Sequence, residues 1–174
     1  MYIKPKHEKP KPKQSEPAQP KNADAANKKP FDLDKLSRDY VLEHKKLRIL
    51  SRDYVIEHGT DFDDEEIGWD EKYYYFICDS EGYFTGLLYD IDDYGNLRGY
   101  RHYKDGLKDG VQVVLYPSGK IHHYSFYRKG EITGIFYEWY ENGMIKKFID
   151  RKHDKRIECD ENGKITKQGK ADPA

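Results

Sequence analysis

Glycine recurs between residues 82 and 143 of this sequence at a constant interval of 24 residues. The positions that share the interval are Gly82, Gly106 and Gly130, then Gly86, Gly110 and Gly134, then Gly95, Gly119 and Gly143. The whole chain has only 14 glycines, so three sets in one register would rarely arise by chance. An internal period of this length is typical of repeat proteins, in which each unit buries its apolar face against its neighbours.

Each 24-residue unit predicts two β-strands. The units 81–104, 105–128 and 129–152 each contain two runs rich in Tyr, Phe, Ile and Val, separated by DYGN, YPSG or YENG. These residue types favour strands, and the glycine of the separator supplies the positive φ that a tight hairpin needs. The Gly-x-x-x-Gly segments predict the second turn of each unit, and residues 153–167 read as a shorter fourth copy with a DENG turn. The result is an antiparallel meander of hairpins.

The pattern of G-x(3)-G, aromatic strand, x-N/S-G-K/M and strand resembles the MORN-repeat variant of bacterial antitoxin and immunity-type proteins. The resemblance covers about residues 73–168. It implies a β-hairpin repeat that binds a protein partner, most simply a cognate toxin. One departure is that Gln112 or Phe136 stands where a typical MORN unit has a further glycine. The lipid binding associated with some MORN proteins is not expected, because this region is not markedly basic.

The residues before the repeats divide by composition into three segments. Residues 1–30 contain eight Lys, three acidic residues and six of the eight prolines, which predicts a disordered tail. Residues 31–59 predict an amphipathic helical segment, and residues 60–72 an acidic linker. The repeat domain follows at 73–168, and residues 169–174 are expected to be a disordered C-terminus. The expected fold class is therefore α+β, mainly β, with a helix before the hairpin repeats.

Residues 31–59 contain a second duplication. LSRDYVLEH at 36–44 returns as LSRDYVIEH at 50–58. Leu and Tyr residues recur here at steps of three and four, which favours an amphipathic helix, with Asp32 as a plausible N-cap and Gly59 as a stop. Two roles remain open: the helix packs its Leu and Tyr stripe over the sheet, or it pairs with another chain.

Two groups of residues are candidates for binding a partner. Rings are abundant in the repeats, and exposed Tyr gives a large contact area at small entropic cost. The best ring candidates are Tyr100, Tyr124 and Phe148 on one stripe and Tyr103 and Tyr127 on the next. The second group is the acidic segment with its tryptophan, namely Asp61, Asp63, Asp64, Glu65, Glu66 and Trp69. This segment is either a solvated linker or a mimic of a phosphate backbone that enters the basic cleft of a nucleic-acid-directed toxin.

Candidate catalytic groups are poor, so the sequence predicts a protein that is not an enzyme and has no cofactor. His122 and His123 are expected on opposite faces of a strand, where they cannot share a metal, although His102 and His122 could be neighbours across strands. Cys78 and Cys159 form no CxxC pattern and are expected to be small buried residues. The glycine spacing is not that of a phosphate loop.

The sequence gives no indication of a membrane span or signal peptide, so a cytoplasmic protein is expected.

The alternative to an antitoxin is a scaffold whose basic tail contacts an acidic surface such as nucleic acid or membrane. Deletion of residues 1–30 distinguishes the two. An antitoxin should keep its affinity for its partner within about twofold, because the tail is not a contact surface, whereas a scaffold should lose its localisation. Partner affinity and the cellular distribution of the truncated chain are the measurements, and a tail-dependent distribution would contradict the antitoxin.

Overall fold

The computed structural model describes residues 31–64, 67–69, 75–77 and 82–171, with the backbone alone described at residues 69 and 75–77. All helices and strands of these residues belong to the unit Asp32–Ala174. The unit is mainly β, as the sequence predicted. In the described part of the chain, every helix is too short or too polar to cross a membrane.

Among the described residues, nine strands form one mixed sheet and two strands form a small second sheet. The strands are β1 (Thr60–Asp61), β2 (Ile67–Trp69), β3 (Tyr75–Ile77), β4 (Gly86–Ile91), β5 (Leu97–Lys104), β6 (Leu107–Leu115), β7 (Ile121–Arg128), β8 (Glu131–Trp139), β9 (Ile145–Asp150), β10 (Lys155–Cys159) and β11 (Ile165–Gly169). From β4 to β11 each strand pairs antiparallel with the next in the chain. β1 pairs parallel with β4, and β2 pairs antiparallel with β3.

Four hairpin turns share one backbone geometry. Gly95, Gly119, Gly143 and Gly163 have φ of 76°, 77°, 91° and 78°, and each donates its N–H to the carbonyl oxygen three residues earlier at 2.8–3.0 Å. A residue with a Cβ is strained at such φ values, which is why glycine stands at this position of each turn. The turns thus lie where the DYGN, YPSG, YENG and DENG segments predicted them.

Each of these hairpins also contains a β-bulge just after its turn. The register leaves Arg98, His122, Lys146 and Thr166 without a residue directly opposite. A bulge bends its strand and increases the local twist. Because the same offset recurs in successive hairpins, the side chains near each turn depart from strict alternation between the two faces.

The connections at the other end of the sheet differ from the prediction. Asp105 and Gly106 have φ of 50° and 81°, and Lys129 and Gly130 have φ of 50° and 86°, so each pair forms a two-residue turn with both residues at positive φ. The second glycine of each Gly-x-x-x-Gly segment lies inside a strand and not in the turn. At Gly110 the reason is steric, because a Cβ there would lie 2.9 Å from the Cβ of His102.

The segment before the sheet contains two short helices, where the sequence analysis predicted a single helix over residues 31–59. The helices are α1 (Arg38–His44) and α2 (Arg52–His58), one in each copy of the duplication, and a short 3₁₀ turn, Asp34–Leu36, precedes α1. Lys46 has φ of 48°, which ends helical geometry between the copies. Ser51 restarts it, since its side chain accepts a hydrogen bond from the N–H of Tyr54 at 3.3 Å. The predicted N-cap Asp32 precedes the 3₁₀ turn, whereas the predicted stop at Gly59 is confirmed.

One face of the sheet, here called the helix-covered face, is crossed by a row of paired side chains. The row comprises Tyr89, Tyr100, Val113, Tyr124, Tyr137, Phe148 and Ile157. The segment with α1 and α2 lies over it, because the Leu50 N–H donates to the Tyr100 hydroxyl at 2.8 Å and the Trp139 indole N–H donates to the Leu36 carbonyl at 2.8 Å. Of the two roles left open for this segment, the structure shows packing on the sheet. α1 and α2 bury Val41 and Val55, and of the predicted Leu and Tyr stripe Leu36 is buried, in the 3₁₀ turn before α1.

The opposite face carries the alternate row, which comprises Leu88, Arg101, Gln112, Ser125, Phe136, Ile149 and Arg156. At the β4–β5 end Phe62 and Ile67 pack against the buried cluster of Phe84, Leu88 and Tyr103. The segment predicted to be a linker, residues 60–72, therefore contributes a strand to the large sheet and side chains to its opposite face.

The duplication gives a matched pair of arginines. Arg38 and Arg52 occupy the same position in the two copies. The Arg38 guanidinium is buried and donates to the carbonyl oxygens of Ile121, Tyr140 and Glu141 at 3.2–3.4 Å. The Arg52 side chain is more than half exposed and donates to the Gly95 carbonyl at 3.0 Å.

We expect Arg38→Met to lower the free energy of unfolding by about 2–3 kcal/mol, because it leaves buried carbonyl groups without their charged donor. Arg52→Met is the matched control and should change it by less than about 0.5 kcal/mol, since its site is exposed. Urea denaturation of both variants measures the difference. Equal losses would show that the buried guanidinium is not what fixes α1 to the sheet.

Candidate partner-binding groove

The ring prediction is wrong in one respect, because four of the five candidate rings are buried. Tyr100, Tyr103, Tyr124 and Phe148 are 1%, 3%, 7% and 7% exposed, and only Tyr127 is half-buried. Tyr100, Tyr124 and Phe148 lie on the helix-covered face, and Tyr103 lies on the opposite face. The segment before the sheet lies over the helix-covered face and over part of the opposite face, so these rings belong to the core, and Tyr100 also lines a groove on the helix-covered face.

Local bonding fixes two of these rings in the core. Burial raises the pKa of Tyr100 to about 12, while a hydrogen bond from the Leu50 N–H partly counteracts that rise. Burial likewise raises the pKa of Tyr124, whose hydroxyl is bonded by the Arg48 backbone. Both phenols are protonated and serve as attachment points for the link between α1 and α2.

The acidic candidates lie beside the partly buried ion pair of Asp90 and Arg101. Asp61 is half-buried in β1 and its carboxylate accepts the N–H of Asp63 at 3.1 Å, while Asp63 and Asp64 are exposed. Burial, together with the charges of Asp63 and Asp61, raises the pKa of Asp90, and the paired Arg101 opposes that rise. Glu65 and Glu66 lie outside the described residues, as does the side chain of Trp69. A role in binding for these acids stays a prediction.

The histidines do not lie as predicted. The bulge at His122 brings its Nε2 within 3.4 Å of the Glu138 carboxylate, and the charge of Glu138 also acts on His123. His102 and His122 are not neighbours, because β6 lies between their strands. Within the described residues, no three His, Cys, Asp or Glu side chains are placed to hold a metal ion. Cys159 is buried as predicted, and Cys78 lies outside the described residues.

Hydrogen bonds link three side chains along β7 on the opposite face. The His123 Nε2 lies 2.7 Å from the Ser125 hydroxyl, which is also bonded to Tyr127. Ser125 is fully buried, so a Ser and His pair at this position has no access for a substrate. Burial lowers the pKa of His123 to about 4, which keeps the ring neutral near neutral pH.

A groove of about 790 Å³ lies on the helix-covered face. α1 lines one side of it, the link between the helices lines its back, and the turn end of β5, β6 and β7 forms its floor, while α2 contributes Arg52 to the lining. It opens at the middle hairpin turn. The apolar lining residues are Leu42, Ile49, Leu50, Leu97, Tyr100, Val113, Leu115, Pro117 and Ile121.

The groove follows from where the two helices begin. α1 starts at the third hairpin turn, where the Arg38 N–H donates to the Gly143 carbonyl at 3.0 Å. α2 starts at the first turn through the bond of Arg52 to Gly95. At the middle turn Gly119 is exposed, whereas Gly143 of the third turn is buried and a Cβ there would meet the Arg38 guanidinium at 3.3 Å. At the first turn a Cβ on Gly95 would meet nothing within 4 Å, as at Gly119, so the contact of α2 with that turn is the bond from Arg52. The two copies of the duplication therefore contact the first and third turns.

The charges that line the groove are mainly positive. The lining includes three cationic side chains, Arg38, Arg52 and Lys120, and one carboxylate, Asp39. At its wall and back, Leu42 and Ile49 are 38% and 39% exposed. An apolar floor with a cationic rim suits an amphipathic ligand that carries negative charge.

Sequence reasoning missed Leu42 and Ile49. Each copy of the duplication contains two adjacent apolar residues, Val41 and Leu42 or Val55 and Ile56, and a two-turn helix on a sheet buries only one of such a pair. The second apolar residue of the pair was the signal that could have identified Leu42. Ile49 could not be placed, because the sequence did not show that α1 ends at His44 and α2 begins at Arg52.

No protein-family model, curated protein or solved structure matches this chain. The function of the protein is therefore inferred from the geometry of the groove.

The partly buried ring of His123 makes the free energy of unfolding depend on pH. Its folded pKa of about 4 lies below its ordinary value of 6.5, so the unfolded chain takes up the proton first as pH falls. The stability that the neutral ring contributes is complete above pH 6.5 and is lost between pH 6.5 and 4, by about 2–3 kcal/mol.

We expect His123→Gln to flatten the fall of unfolding free energy across this range, as measured by urea denaturation at a series of pH values. His153→Gln, at an exposed site, is the control and should keep the slope. Parallel slopes for wild type and His123→Gln would contradict the assignment.

Proposed function

We propose that this protein is a non-enzymatic binding module that holds a segment of a protein partner in the groove between α1 and α2. The observation that carries the proposal is the open apolar groove over the middle hairpin, flanked by the exposed side chains of Leu42 and Ile49. Exposed apolar side chains grouped in one concavity favour association with another molecule over solvent contact.

We propose further that the partner is a cognate toxin and that the protein is a cytoplasmic antitoxin or immunity protein. Two features support this. The hairpins from β4 to β11, with turns at Gly95, Gly119 and Gly143, are consistent with a MORN-like repeat of the kind that the sequence resembles. The exposed carboxylates of Asp63 and Asp64 give a second contact surface suited to a basic cleft.

The experiment is co-expression of the chain with the product of the gene encoded beside its own. We expect the two proteins to co-purify and the wild-type chain to relieve any growth defect that the partner causes. Leu42→Glu combined with Ile49→Glu should weaken the complex at least tenfold, because it places carboxylates on the apolar wall of the groove.

Tyr94→Glu is the matched control, since Tyr94 is 90% exposed and lies outside the groove. It should leave the affinity unchanged within about twofold. Circular dichroism and thermal unfolding check that all variants fold. A complex that survives the double substitution in a folded protein would place the contact elsewhere and overturn the groove as the binding site.

A further inference from the structure

We infer that the groove accepts one short amphipathic α-helix of the partner, with apolar residues on the floor and carboxylates on its polar rim. This inference rests on the proposed function and specifies what enters the site. Its starting point is the spacing of the two helices that already lie on the same face.

The space between α1 and α2 is about one helix wide. α2 packs on β4, and the 3₁₀ turn just before α1 is bonded to the end of β8 through Leu36 and Trp139. These strands are four positions apart in the sheet. At about 4.8 Å per strand the separation is roughly 19 Å. A helix with its side chains is about 10 Å across, so the two existing helices leave room for roughly one more.

The existing helices also show how a short helix lies on a hairpin of this sheet. Each has seven residues and begins at a hairpin turn, and each buries a single valine, Val41 or Val55, against the strands. The same kind of floor is offered by Leu115 and Ile121 of the middle hairpin and by Leu97 of the neighbouring strand β5. A two-turn segment with apolar residues at steps of three and four fits that floor.

The charged side chains at the rim of the groove determine which charges the polar face of the bound helix should carry. Arg52 and Lys120 are exposed at the mouth, and Asp39 is the only carboxylate among the described lining residues. Arg38 adds a buried positive charge that is already bonded to carbonyl oxygens. A helix with Glu or Asp along its rim gains attraction there, whereas one with Lys or Arg is repelled. The basic segment 1–30 of this chain is therefore disfavoured as the occupant.

The test uses two synthetic 14-residue peptides that share the same apolar residues at helical spacing. One carries Glu on its polar face and the other carries Lys at the same positions. Fluorescence anisotropy with the full chain measures their affinities. We expect the Glu peptide to bind at least tenfold more tightly than the Lys peptide at low salt, and to lose affinity as salt increases.

Charge reversal of the rim supplies the matched variant. Arg52→Glu combined with Lys120→Glu should reverse the preference, so that the Lys peptide binds more tightly. Leu42→Glu should weaken both peptides, and a Glu peptide with a central proline, which cannot form the helix, should bind at least tenfold more weakly.

Three results would overturn the inference: no binding of the Glu peptide, equal binding of both peptides with no effect of the reversal, or equal binding of the proline peptide. Failure here is distinguishable from failure of the proposed function. If the co-purified partner is still released by the substitutions at Leu42 and Ile49, the groove remains the binding site and only the helical, acidic character of the occupant is wrong.

Discussion

An open sheet has two faces, and in this protein the helix-covered face depends most on a cover. The row from Tyr89 to Ile157 on that face is entirely aromatic or aliphatic and cannot be left in water, whereas the opposite row interleaves Leu88, Phe136 and Ile149 with Arg101, Gln112, Ser125 and Arg156. The residues before the sheet cover the first face with α1 and α2, and Phe62 and Ile67 pack on part of the other. The groove exists because the first of these covers is incomplete.

The sequence was sufficient for the parts of the fold that depend on local backbone geometry. Gly95, Gly119 and Gly143 stand at positive φ in turns that their neighbours already indicated, and the strands between them pair in chain order. It was insufficient for the helices, because the periodicity of Leu and Tyr continues through Lys46 although the backbone changes direction there. Periodicity describes which residues could share a face, and a single residue at positive φ is enough to interrupt it.

The candidate site was the least predictable part. Aromatic residues such as Tyr100 were predicted to lie on a surface because a thin sheet has few interior positions. That prediction left out the helical segment, a distant part of the chain that covers one face of the sheet. Once the cover is known, abundant tyrosine is explained by hydroxyls that bond to the backbone of the link, at Leu50 and Arg48. The groove depends on which hairpin stays uncovered, and only the docking positions of Arg38 and Arg52 determine that.

The two nearly identical copies at 36–44 and 50–58 create an ambiguity during folding. Either copy could begin to pack at the position on the sheet that the other copy occupies, since the two copies differ at one residue. Connectivity resolves the ambiguity: Gly59 follows α2 directly, and Thr60 pairs with Leu88, so a slip of 14 residues would detach β1 from β4. The sequence of the helical segment does not distinguish the native alignment from one shifted by 14 residues, which would be a kinetic trap. The two-residue strand β1 therefore selects the native alignment.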